Sequence, residues 1–241
     1  YKPGKLTIAT GQPAYEPWVM NDKPESGEGY EAAVAYAVAD KLGFKKSDVV
    51  WTRTAFDTAI APGAKDWDFN IQQFGITDER KKAVDFSSSY YNDSQSVVVK
   101  KDSKFANATK VSDLKDATVG VMVGTLAYDY AKANIKDDIQ TFNDDAALAQ
   151  ALDAGQIDAL VTSTVECVYM VQSEQVKDAK VLGRLPDSED KSGMGIVLPK
   201  DSKLTAAVTK AVDDLNADGT IKKLQDKWLA EYTTDLTELK K

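Results

Sequence analysis

The chain has 241 residues, 43% of them apolar and 28% charged, with a net charge of −8. That is enough for one large domain or two ordinary lobes of a globular protein, and the charge has the wrong sign for a nucleic-acid surface. With no histidine and one cysteine, Cys167, the chain lacks Ser-His-Asp and Cys-His nucleophilic machinery, histidine-bearing zinc sites and any intrachain disulfide. Leu6–Thr10 alternates as a first strand. A loop rich in Gly, Pro and aromatics follows, residues 11–18, and then Gly29 precedes a helix. Tyr30, Val34, Ala37, Val38 and Leu42 share one face of that helix, and Gly43 stops it. Val49–Thr52 reads as a second strand, Phe56–Ala61 as a short helix and Asp68–Phe74 as a third strand.

This β-α-β-α-β order implies a parallel sheet, with ligands at the carboxyl ends of its strands. Gln12 to Trp18, Phe56 and Gln73 to Arg80 fall at those ends. Beyond the third strand, Thr77 is placed to N-cap a helix, with Asp78, Glu79 and Arg80 in its first turn. An arginine beside backbone N–H groups at a strand end suits a carboxylate; an exposed ion pair is the alternative.

Ser96–Lys100 is a valine-rich strand, after which the pattern restarts. Thr118–Val123 is a strand, Gly124-Thr125 a turn, Leu126–Ala133 a helix, Asp144–Ala154 a helix, and Ile157–Thr162 and Lys180–Leu182 strands. The Gly124-Thr125 turn offers N–H groups to an anion, although it has too few glycines for a dinucleotide site and lacks the P-loop lysine. Cys167, among Val165, Val168 and Met170, suits a buried inert thiol. Gly195–Lys200 is a final strand, followed by two helices with apolar faces at Leu204, Val208, Val212, Leu215 and at Ile221, Leu224, Trp228, Leu229. No apolar run approaches a membrane span. The chain shows no signal peptide, although a mature secreted protein would have lost one.

Several motifs occur in a telling order: the aromatic loop after the first strand, Gly75-Ile76-Thr77-Asp78-Glu79-Arg80, Val84-Asp85-Phe86-Ser87, Val123-Gly124-Thr125, Ala154-Gly155-Gln156-Ile157-Asp158-Ala159, Gly195-Ile196-Val197-Leu198-Pro199-Lys200, and Asp218-Gly219-Thr220-Ile221 before Lys227-Trp228. Over nearly its whole length the chain resembles the polar amino-acid binding proteins of ABC importers, which have the type II periplasmic-binding-protein fold. The resemblance implies an α/β protein of two lobes, each a mainly parallel sheet flanked by helices. Lobe one would be residues 1–97 and 195–241, and lobe two residues 98–194. The crossings would lie near Val97–Val99 and Met194–Val197, with hinge closure on the ligand. It implies a periplasmic or extracellular monomer, with lipid anchoring of the precursor as one arrangement. It would capture an amino acid or related small carboxylate for a membrane ABC permease, without chemistry, cofactor, metal or nucleic acid.

Carried over residue by residue, the resemblance has Arg80 clamp the ligand carboxylate, aided by the N–H groups of Gly75, Thr125 and Leu126. Tyr15 and Phe56 would sandwich the ligand body. Gln12, Gln72 and the Gln73 carbonyl would face it, with Trp18 either lining the site or packing the loop. Three positions depart from the pattern. Gly75 replaces a Ser or Thr, Leu126 a second Thr, and Ser163 the acid that usually holds an α-ammonium. Glu166 could compensate, but a solvated helical position is the favoured reading. The departures suit a carboxylate without an α-ammonium, an amino acid in another pose, or a redesigned pocket. Two other classes share the fold: a cyclohexadienyl-dehydratase-like enzyme, for which Glu16, Glu166 or Asp129 would have to be the general acid, and an optical or extracellular sensor.

Overall fold

The computed structural model describes residues 1–233 and 236–241. They form two compact units: residues 1–92 with 190–230, and residues 93–189 with 231–241. Unit 1 begins with β1 (Leu6–Thr10), α1 (Tyr30–Lys41), β2 (Val49–Arg53), α2 (Phe56–Ile60), β3 (Phe69–Asn70) and β4 (Val84–Tyr91). Unit 2 carries β5 (Gln95–Lys100), β6 (Val119–Met122), α3 (Leu126–Asn134), β7 (Gln140–Phe142), α4 (Asp145–Asp153), β8 (Ala159–Ser163), α5 (Thr164–Gln172) and β9 (Ala179–Arg184). The chain then returns to unit 1 as β10 (Met194–Pro199), α6 (Thr205–Ala217) and α7 (Thr220–Trp228).

Each unit holds a five-stranded mixed sheet, ordered β2-β1-β3-β10-β4 in unit 1 and β7-β6-β8-β5-β9 in unit 2. β1 is parallel to β2 and β3, and β6 is parallel to β7 and β8. One strand runs against its neighbours in each sheet, β10 in unit 1 and β5 in unit 2. The mainly parallel α/β architecture expected from the sequence is therefore present in both units.

The cores follow from side-chain alternation. In β5, Val97 and Val99 join Val119, Val121, Val161 and Leu114 on one face, while Val98 joins Leu148, Leu152, Leu160, Cys167 and Met170 on the other. Cys167 is fully buried, and burial raises its thiol well above the ordinary range, so it is an inert core residue. In unit 1 an apolar cluster contains Ala9, Ala59, Trp67, Phe74, Val84 and Val197, with Phe56 packed against it. Gly29 starts α1 at φ 99°, where a Cβ would lie 2.5 Å from the Trp18 carbonyl oxygen. That oxygen accepts the Glu31 N–H, so a side chain at position 29 would displace a helix-capping group.

Several elements differ from the sequence reading. No α-helix follows Thr77: the chain makes a short 3₁₀ turn, Arg80–Lys82, and then β4. β4 is stabilised by antiparallel pairing with β10, more than a hundred residues away, which local periodicity does not reveal. The third strand pairs regularly only at Phe69–Asn70, because Gln73 bends the chain at φ 50°. β7 is short and polar and gives little apolar signal. The chain passes between the units after Asn92, Glu189 and Ala230. The tail expected in lobe one thus belongs to unit 2, where Glu238 bridges to Arg184 and Lys240 to Lys110.

Candidate functional site

The site residues of unit 1 gather at the end of β3. Ile71 N–H donates to Ala9 O, tying the strand to β1. Four residues on, Gly75 bridges to Met194, with Ile76 N–H donating to Gly193 O and Gly195 N–H to Phe74 O, both at 2.9 Å. In such a non-hydrogen-bonded antiparallel pair the central residue's own N–H and C=O point away from the partner strand. The Gly75 carbonyl accepts from Arg80 Nη1 at 2.7 Å, and its N–H projects to the same side. The Arg80 guanidinium also lies 5.5 Å from the Phe56 ring centroid, a cation–π distance. Phe56 in turn packs on Phe74 at 4.7 Å between centroids. Thr77 Oγ1 accepts the Arg80 N–H at 3.1 Å across the turn, but the N-cap position of the 3₁₀ segment is Glu79, so Thr77 is not the expected helix N-cap. Asp190 is close enough for the Arg80 charge to lower its carboxyl, although burial prevails and raises it. Its Oδ1 accepts from the N–H groups of Ser192 and Gly193.

The other unit 1 candidates are scattered in environment. Tyr15 and Gln72 are half-buried, and Gln12 is exposed. Trp18 is corrected from a ligand-lining candidate to a core residue: it is 1% exposed and packs edge-on to Tyr91 and tilted against Tyr30. Gln73 is held by a residue the sequence reading missed, Glu31. Gln73 N–H donates to Glu31 Oε1 at 2.7 Å, the Gln73 side-chain amide donates to Oε2, and the Tyr90 hydroxyl donates to Oε1. Glu31 is fully buried. Burial pushes its carboxyl up to about 7, against the lowering effect of the Tyr90 and Gln73 hydrogen bonds. One sequence signal marks it: an acid within the buried stripe of α1 that includes Val34, Ala35 and Val38.

In unit 2, Gly124 turns the chain at φ 74° and Thr125 N-caps α3. Thr125 Oγ1 accepts the Tyr128 N–H at 3.2 Å and donates to Met122 O at 2.8 Å. Leu126 is the first residue of α3 and is half-buried. Ser163 ends β8 and N-caps α5, its Oγ accepting the Glu166 N–H at 3.3 Å. Asp93 approaches the same helix start, accepting from Ser94 N–H at 2.8 Å and Val165 N–H at 3.3 Å. Burial pushes its carboxyl up to about 6 while these bonds, and one from Ser163, lower it. Glu166 is 3% exposed, so the expectation of a solvated helical acid is corrected. Of the other acids considered for chemistry, Asp129 is exposed and Glu16 Oε1 accepts the Asn21 N–H.

Two α/β units with matching strand orders, each with its candidate residues at strand ends and helix starts, define a type II periplasmic-binding-protein fold. The sequence profile of the bacterial extracellular solute-binding proteins, family 3, matches residues 6–231, and the chain belongs to that family. It is similar to the L-cystine-binding protein TcyJ of Escherichia coli strain K12, at 30% identity over 91% of this chain and 81% of the relative. It is also similar to the L-arginine-binding protein of Pseudomonas aeruginosa, at 29% identity over 95% of this chain and 88% of the relative. Among solved structures, an ancestral arginine-binding protein bound to arginine matches with a TM-score of 0.79 and 31% identity, covering 93% of this chain and 98% of that one. No helix among the described residues is long and apolar enough to cross a membrane.

Proposed function

We propose that this protein captures an amino acid or a related small carboxylate outside the cytoplasm and delivers it to an ABC permease. Arg80 is the anchor for the carboxylate. The observation that carries this reading is the guanidinium itself, fixed at the end of β3 by the Gly75 carbonyl and laid over Phe56. A planar fork held in this way is suited to a two-point bond with a carboxylate. The Gly75 N–H, pointing to the same side, adds a further donor. Thr125, Leu126 and Ser163 are assigned to the ligand contacts of unit 2, and Tyr15, Gln12, Gln72 and Gln73 to those of unit 1. Names of relatives, arginine-binding and cystine-binding, support an amino-acid class.

A thermal-shift panel tests the proposal. It would contain the twenty L-amino acids, D-, β- and γ-amino acids, and simple aliphatic and aromatic carboxylates. A ligand that binds only the folded state raises Tm by mass action. At least one carboxylate should stabilise the wild type and lose its effect in Arg80→Ala. Equal shifts in both proteins, or none across the panel, would overturn the assignment. Turnover of a cyclohexadienyl acid such as prephenate would overturn the purely binding role.

A further inference from the structure

We propose that Glu31 is a positioning residue for ligand binding: from beneath the end of β3 it clasps Gln73 and so sets the peptide groups of Gln73–Gly75 and, through Gly75, the Arg80 guanidinium. This rests on the reading of Arg80 as the carboxylate anchor. The chain between β3 and Arg80 is pinned twice, at Ile71 to β1 and at Phe74–Ile76 to β10. Gln72 and Gln73 form the bend between those pins, and Gln73 lies in the left-handed region at φ 50°. That conformation is disfavoured for a residue that carries a side chain. Glu31 holds it, taking both the backbone N–H and the side-chain amide of the same residue.

The chemistry of the clasp requires the ionised acid. All three partners of Glu31 are used as donors: Gln73 N–H, the Gln73 amide and the Tyr90 hydroxyl. A carboxylate only accepts, whereas a protonated acid brings a fourth donor, and the Gln73 amide or the Tyr90 hydroxyl must then turn from donor to acceptor, which rearranges the clasp. No lysine or arginine is among the groups that shift Glu31. The titratable groups packed against it are Tyr30 of α1 and Tyr90 of β4, both kept protonated by burial. From α7, the neutral Gln225 reaches Tyr30 Oη at 3.4 Å. Glu31 itself, pushed up to about 7, is therefore the group of this cluster that changes charge near neutrality. Ligand affinity should fall as acid protonates it.

The test compares the full-length wild type with Glu31→Gln. Amide hydrogen exchange of a peptide spanning residues 72–76 would be followed from pH 6 to 8.5, corrected for the intrinsic pH dependence. At pH 8.5 the substitution should speed exchange of this segment about tenfold, the loss expected when a charged acceptor becomes a neutral one. At pH 6 the two proteins should converge, and β6 and β8 should be unaffected. In parallel, L-arginine binding by calorimetry should weaken about tenfold at pH 8.5 in Glu31→Gln and show no such gap at pH 6. Unchanged exchange, or an exchange ratio independent of pH, would overturn the proposal whether or not L-arginine binds. A loosened segment with undiminished L-arginine affinity would overturn it as well. Equal L-arginine binding by wild type and Arg80→Ala would instead overturn the anchor assignment, which separates the two failures.

Discussion

Gly29→Ala should be among the most damaging small substitutions in unit 1, and its cost can be worked out from the backbone. Gly29 sits at φ 99° and ψ 157°, a region open essentially to glycine alone, and forcing alanine there costs about 1–3 kcal/mol. The new Cβ would also lie 2.5 Å from the Trp18 carbonyl oxygen. That atom is backbone and already accepts the N–H groups of Glu31 and Ala32 at 2.9 and 3.3 Å. Moving it sacrifices at least one capping bond, about 1 kcal/mol. The sum is roughly 2–4 kcal/mol. Gly43→Ala is the control, since Gly43 has φ 84° but nothing within 4 Å of its Cβ position. It should cost about 1 kcal/mol, the left-handed backbone penalty alone. The assay is urea unfolding followed by tryptophan fluorescence. All four tryptophans, Trp18, Trp51, Trp67 and Trp228, lie in unit 1, so the signal is specific to it. Equal losses for the two variants would refute the argument that the Trp18 carbonyl makes position 29 special.

Other outcomes follow from the buried groups. The Glu31 carboxyl rises from its ordinary 4.5 to about 7 in the folded state, so between those values the unfolded chain ionises while the folded one stays protonated. Stability should therefore fall as pH rises through this window, with the loss complete above 7 at about 3 kcal/mol. Glu31→Gln removes this titration, so its stability should lose the wild type's decline between pH 4.5 and 7; the same slope in urea unfolding of both proteins would contradict the linkage. Cys167, fully buried with its thiol raised, should resist a thiol-specific reagent until denaturant is added; rapid labelling of the native protein would refute its core placement. Arg80→Lys keeps the charge but loses the fork, so calorimetry should show carboxylate binding weaker by about 10–100-fold, with Arg80→Ala weaker still.

The elements that could be read in the sequence are those whose cause is local. The apolar stripe of α1, the alternation in β1 and the glycine turn before α3 depend on residues within one element. β4 was not legible because its partner β10 lies in the last quarter of the chain, and β7 because a polar edge strand carries little periodicity. The same rule applies to the candidate site. Arg80 and the carbonyl it holds on Gly75 are five residues apart, whereas Glu31 and Gln73 are 42 apart. Trp18 carried a true ambiguity, since an aromatic in a Gly- and Pro-rich loop can serve either a surface or a core. Its contacts with Tyr30 and Tyr91 decide for the core. Glu166 reads as solvated by composition alone, yet it is buried at the start of α5, where the helix dipole favours an acid.

The placement of β10 between β3 and β4 bears on how the molecule is made. Until residue 199 has been synthesised, the unit 1 sheet lacks the strand that joins its two parts. β3 and β4 are left as open edges. Unit 2 also waits, for residues 236–241 pair beside β9: Arg184 N–H donates to Thr237 O and Leu239 N–H to Arg184 O, both at 2.9 Å. Gly183 makes room for this tail, since a Cβ there would lie 2.5 Å from Thr237 O. A ribosome-bound chain stopped at residue 190 should therefore be sensitive to protease in both halves, and protection should appear only as the C-terminal fifth emerges.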